Sequence, residues 1–172
     1  MTSSSKLIEL SASAVVDLLK QEKTTPIDLL DALEERIAEV NPTVNALPTL
    51  CFDRARAHAR DLMKRPLAER GRLAGLPLPI KDLTRVAGVR TTYGSPIFAD
   101  FVPEQSDILV ENLEREGGIV FAKSATPEFG AGANTFNEVF GATLNPWDTS
   151  RSAAGSSGGA AVALATGMAW VA

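Results

Sequence analysis

Near residue 73 the chain changes its hydrophobic period, and a fold of a single secondary-structure type cannot accommodate both halves. Before that point Ile27, Leu30, Leu33, Ile37 and Val40 recur three or four positions apart, the spacing of one helix face. Thr25 caps this stripe, with Pro26 at the first helical position and Asp28 in the first turn. Asn41-Pro42 is expected to end it. Ser11 caps a shorter helix carrying Ala14, Val15, Leu18 and Leu19, and a third helix is expected from Phe52 to Lys64. After that point Leu76, Leu78 and Ile80 alternate with Gly75, Pro77 and Pro79, the pattern of a short extended segment. Val86 to Val89 reads as a second short strand. Asp107 opens a helix through Leu109, Val110 and Leu113 that stops at Gly117-Gly118, and Ile119 to Ala122 follows as a buried strand. Helix, glycine, strand in that order is an αβ unit. Residues 126–151, rich in Gly, Asn, Thr and Pro, read mostly as loop, Ala160 to Ala165 as a small-residue helix, and Met168 to Ala172 as a final apolar strand. The expectation is one α/β domain over residues 1–172. A helical region spans 1–65, and the start of a mixed β-sheet flanked by helices spans 73–172.

Composition removes several functions. The net charge of −4 offers no electrostatic footprint for nucleic acid or an anionic membrane. No apolar run reaches the roughly 18 residues of a membrane span. Cys51 is the single cysteine, so no internal disulfide can form, and a reducing, cytoplasmic setting is expected. Without a Cys/His cluster, no metal site is expected. The single histidine, His58, lies among Arg54, Arg56 and Arg60 and reads as a surface residue.

Candidate chemistry concentrates in Gly155-Ser156-Ser157-Gly158-Gly159. One reading is a Gly/Ser turn capping the helix that follows. A second is an anion cradle, although the Lys-Ser/Thr ending of a P-loop is absent. A third is a hydrolase serine, since the segment matches G-x-S-x-G with Ser157 central. No histidine follows Ser157, which argues against a Ser-His-Asp triad. A lysine can activate a serine instead, provided that burial keeps its amine neutral. Lys81 follows the apolar Leu76-Pro77-Leu78-Pro79-Ile80 and precedes Asp82. It is therefore either such a base or half of an ion pair with Asp82 at a strand end.

Four blocks together resemble the amidase signature hydrolases. They are Gly75-Leu76-Pro77-Leu78-Pro79-Ile80-Lys81-Asp82, Ala122-Lys123-Ser124-Ala125-Thr126-Pro127-Glu128-Phe129-Gly130, Phe140-Gly141-Ala142-Thr143-Leu144-Asn145-Pro146-Trp147-Asp148 and the Gly/Ser segment. The resemblance runs from about Ala12 to the end of the chain. It implies an amidase fold and a Ser-Ser-Lys triad with one serine held by a cis peptide bond. In that scheme Lys81 is the general base, Ser156 the bridging serine at a cis Gly155-Ser156 bond, and Ser157 a further member of the network. Gly130, Ala131 and Gly132 fall where the family lines its acyl pocket. The implied reaction cleaves a carboxamide C–N bond through an acyl-enzyme, without cofactor, on a small-molecule amide. Ala154 stands where the family usually has a first glycine.

The family's nucleophile lies in a Gly-Gly-Ser segment beyond the bridging serine, and no such segment follows Ser156 in the 16 residues to Ala172. The expectation is a truncated chain that is inactive alone and exposes apolar surface around Val162 to Val171. Self-association or a complementary C-terminal chain would cover that surface. Two alternatives are an A subunit of a tRNA-dependent amidotransferase and a non-catalytic module.

Overall fold

The structure, a computed structural model, describes residues 4–172. Four helices form the N-terminal layer: α1 (Ser4–Ile8), α2 (Ala12–Lys20), α3 (Pro26–Val44) and, after the short strand β1 (Thr49–Leu50), α4 (Phe52–Met63). Both sequence caps are present. Ser11 accepts a hydrogen bond from the backbone of Ala14, and Thr25 and Asp28 form a reciprocal capping box. The stripe on α3 buries Leu30, Leu33 and Ile37, joined by Leu29. The helix does not end at Asn41-Pro42. Pro42 sits in its last turn, and the helix closes one turn later where Asn45 adopts a left-handed conformation (φ 51°) and donates to the Asn41 carbonyl. Asn41 explains the delay: its side chain accepts from the backbone of Ala46 and Leu47 and donates to the Leu47 carbonyl, tying down the exit.

The sheet consists of β1, β2 (Pro77–Lys81) and β3 (Ile119–Ser124), in the order β1-β3-β2. β3 runs antiparallel to β1 and parallel to β2, so the sheet is mixed, as the sequence led one to expect. A helix, α5 (Ile108–Arg115), makes the crossover from β2 to β3. Along β3 the side chains alternate between two cores. Ile119 and Phe121 pack with the N-terminal helices, while Val120 packs with Leu78, Ile80, Val86, Val89 and Val110 of α5. The turn between α5 and β3 requires glycine: Gly117 has φ 82°, and a Cβ there would lie 1.9 Å from the Arg70 carbonyl oxygen.

Two local expectations, strands at Val86–Val89 and at 168–172, are corrected. Val86 and Val89 form a single antiparallel bridge across a turn, not a strand. The segment 126–151 is mostly loop, as expected, with two short antiparallel pairs: β4 (Phe136–Asn137) with β5 (Gly141–Ala142), and β6 (Leu144–Asn145) with β7 (Asp148–Ser152). Residues 168–172 form no strand. After α6 (Gly158–Ala165) the chain turns at Gly167 and folds back onto the N-terminal helices. There Met168, Ala169 and Trp170 join the core, and the Trp170 indole donates to the Leu7 carbonyl at 3.1 Å. Val162 and Ala163 are buried as well, so the apolar surface expected at Val162–Val171 shrinks to Leu164 and Val171. Large exposed apolar side chains lie instead at Ile97, Ile108, Phe136 and Trp147.

Candidate active site

Lys81 ends β2, and α6 begins with the Gly/Ser segment. Close packing brings the two together. A Cβ on Gly159 would lie 2.3 Å from the Ala125 backbone nitrogen and 2.6 Å from the Ala46 carbonyl, so only glycine lets α6 start this close to the end of β3. The Lys81 Nζ then lies 2.9 Å from the Ser156 Oγ and 2.8 Å from the Ser157 Oγ. The Gly155–Ser156 peptide bond is cis. Thr135, itself buried, clamps this loop. Its backbone N–H and its hydroxyl both donate to the Ala154 carbonyl, at 2.9 and 2.8 Å, and its hydroxyl accepts from the Gly158 N–H at 2.9 Å.

Burial lowers the Lys81 pKa below its ordinary value. A neutral amine keeps both a lone pair and N–H donors, so one hydroxyl can donate to it while the other accepts from it. That is the arrangement a lysine base needs. The ion pair with Asp82 that the sequence allowed does not form. Asp82, buried to 1% exposure, turns to Lys123, whose Nζ lies 3.5 Å away, and accepts from the backbone and hydroxyl of Thr92. Lys123 has no solvent exposure and donates to the Thr84 carbonyl at 2.6 Å and the Thr91 hydroxyl at 2.9 Å. Burial, partly offset by Asp82, pulls its pKa down to about 8. Neither Lys123 nor Thr135 figured among the sequence candidates. Lys123 carried a readable signal, since it directly follows a buried apolar run, as Lys81 does.

Lys81 and Ser157 open onto an apolar groove of about 480 Å³ walled by Leu78, Ile80, Leu113 and Val171. Ala131 and Gly132 line a different cavity, of about 440 Å³, beside Pro127 and Asn134. Gly130 belongs to neither wall; its Cα faces the Leu83 side chain. The three small residues thus do not share the cavity that Lys81 opens onto. His58 lies on α4 with its Nδ1 3.8 Å from Glu114, so its charged neighbour is a carboxylate and not a serine.

A family model described as Amidase matches residues 28–172. The A subunit of glutamyl-tRNA(Gln) amidotransferase from Halothermothrix orenii is 39% identical over 95% of this chain and 33% of its own length. A solved structure described as an amidase is 36% identical, with a TM-score of 0.84 over 94% of this chain and 37% of its own. Fatty acid amide hydrolase, at 19% identity, shares the fold, with a TM-score of 0.90 over 99% of this chain and 30% of its own. The chain thus spans about a third of the length of the relatives it matches.

Proposed function

The chain belongs to the amidase family, and on that premise we propose that it carries the acid–base half of a serine amidohydrolase site, with Lys81 as the base and Ser156 as the bridging serine. The observation that carries the reading is the Lys81 amine held within hydrogen-bond distance of both serine hydroxyls in a partly desolvated pocket. The attacking serine is supplied by chain outside these 172 residues. When that serine attacks a carboxamide carbonyl, its proton passes to the Ser156 Oγ as the Ser156 proton passes to the neutral Lys81 Nζ. Collapse of the tetrahedral intermediate breaks the C–N bond. The proton returns by the same route to the leaving amine, and water then hydrolyses the acyl-enzyme. Ser157 holds the amine from its second side. Ala131 and Gly132 leave room for an acyl group, and Gly130 sets the backbone path that leads to them. A single cysteine fits a reducing, cytoplasmic setting.

A second reading follows from the relatives named as A subunits of the amidotransferase: this chain would release ammonia within a complex of several chains acting on a charged tRNA. Glutamine hydrolysis that depends on added glutamyl-tRNA and partner chains supports that reading, and tRNA-independent cleavage of simple amides supports the first.

The test of the common proposal is hydrolysis of aliphatic and aryl amides by the 172-residue chain, alone and with the remaining two thirds of a relative supplied in trans. Activity is expected only in the complemented sample. It should fall by about 10²–10⁴-fold in Lys81→Ala, the usual weight of one general base. Full activity in complemented Lys81→Ala would remove Lys81 from the mechanism. Lys81-dependent activity in the isolated chain would make Ser157 the nucleophile.

A further inference from the structure

Asp82 and Lys123 are fully buried, titratable and adjacent to the candidate base, yet the proposed reaction uses neither. Asp82 directly follows Lys81 along the chain, so a carboxylate is built in beside the base. An uncompensated carboxylate there would favour the protonated ammonium and oppose the neutral amine that the reaction needs. The structure keeps the two apart: Lys81 meets the hydroxyls of Ser156 and Ser157, while the Asp82 carboxylate meets Thr92 and Lys123. The other charged or titratable groups around Lys123 are already quiet. Asp107 is occupied by Arg85 at 2.8 Å, and burial raises the Cys51 thiol to about 11, which keeps it protonated. A buried ion pair adds little stability over an apolar pair of the same size, so stability alone does not account for this one.

Resting on the reading of Lys81 as the base, we propose that Lys123 is a positioning residue for it. By holding the Asp82 carboxylate with its own ammonium, Lys123 keeps the field at Lys81 neutral and leaves Lys81 free for the serines. Two lysines on adjacent strands thus divide the work. In the register of β2 and β3, Lys123 stands opposite Ile80, one place before the Lys81–Ser124 pair.

The test needs no turnover. The chain is produced with lysine ¹³C-labelled at Cε, the Lys81 resonance is assigned by its loss in Lys81→Ala, and its titration is followed by NMR. In Lys123→Met the Lys81 midpoint should rise by about one pH unit, the effect of one nearby unpaired charge at an effective dielectric near 20. In the double variant Asp82→Asn/Lys123→Met it should return to the wild-type value, and Lys123→Arg should leave it in place. An unmoved Lys81 midpoint in folded Lys123→Met overturns the proposal. So does a double variant that stays displaced, because the shift would then come from altered packing and not from charge. Should Lys123→Met fail to fold, the wild type supplies the measurement. As Lys123 loses its proton, Asp82 is left unpaired, and the Lys81 curve should bend at the Lys123 midpoint. A single-site Lys81 curve through that range overturns the proposal. These outcomes are separable from the function itself: complemented hydrolysis can survive an unmoved midpoint, and a moved midpoint can be measured in a chain that hydrolyses nothing.

Discussion

Lys81 and Lys123 leave neighbouring strands one register step apart, and burial lowers the pKa of both, yet their surroundings differ in kind. Around Lys123 the partners are a carboxylate and a threonine hydroxyl buried in the core and the carbonyl of the partly buried Thr84. Around Lys81 the partners are two serines on a glycine-rich loop, and one side opens to a groove. On the proposed function, the same side chain is a structural charge in one place and the reacting amine in the other. The decisive variable is whether an anion accompanies it, since desolvation acts on both.

Removing the amines should separate the two most sharply. Lys123→Ala leaves Asp82 buried and unpaired, a loss of about 3–5 kcal/mol. Lys81→Ala removes a half-buried amine whose serine partners can turn to water, and should cost about 1 kcal/mol or less. Equilibrium unfolding in urea measures both; equal losses would break the comparison. Their pH dependence follows next in size. Lys123 binds its proton less tightly in the folded chain than in the unfolded one. Its contribution to stability is therefore complete above the ordinary value of 10.5 and is lost as pH falls through about 8. Wild-type stability should rise relative to Lys123→Met between those limits. A constant difference would mean that Lys123 is not desolvated as described.

On the serine side the support is backbone and hydroxyl. Thr135→Val preserves shape but leaves the buried Gly158 N–H without its acceptor and the Ala154 carbonyl with one donor fewer, at a cost of about 1–3 kcal/mol. It should also broaden the Ser156 and Ser157 resonances while leaving those of Lys123 sharp. Sharp serine signals in that variant would show that the loop holds itself.

What the sequence made legible tracks where each interaction is encoded. The α3 stripe, the Thr25 cap and the α5–β3 unit are local patterns, and each appears close to where the spacing put it. Lys81, Ser156 and Ser157 were readable because the Gly/Ser segment and the apolar run before Lys81 are unusual sequences; their meeting across 75 residues supports that pairing. Thr135 was not readable, because its role is a contact with Ala154 and Gly158 that depends on how two loops cross. The end of the chain misled for a related reason. An apolar run of five residues fits a strand as well as a folded-back core segment, and Trp170 reaching the Leu7 carbonyl decides between them only in three dimensions.

The smallest effect tests the backbone strain beside the serine pair. Ala154 precedes the serine pair with φ 57°, in the left-handed region where a Cβ costs about 1–2 kcal/mol, and its carbonyl is pinned by both Thr135 donors. Glycine would remove that cost and return part of it through its larger unfolded-state entropy. Ala154→Gly should therefore stabilise the chain by about 0.5–1 kcal/mol, seen as a rise of about 1–4 °C in the thermal midpoint. At an unstrained exposed site the same change would be neutral or destabilising. A fall in the midpoint would mean that the loop reaches Lys81 without strain, and the two lysines would then differ in their partners alone. A rise would show that holding two hydroxyls against an amine costs this fold backbone strain at Ala154.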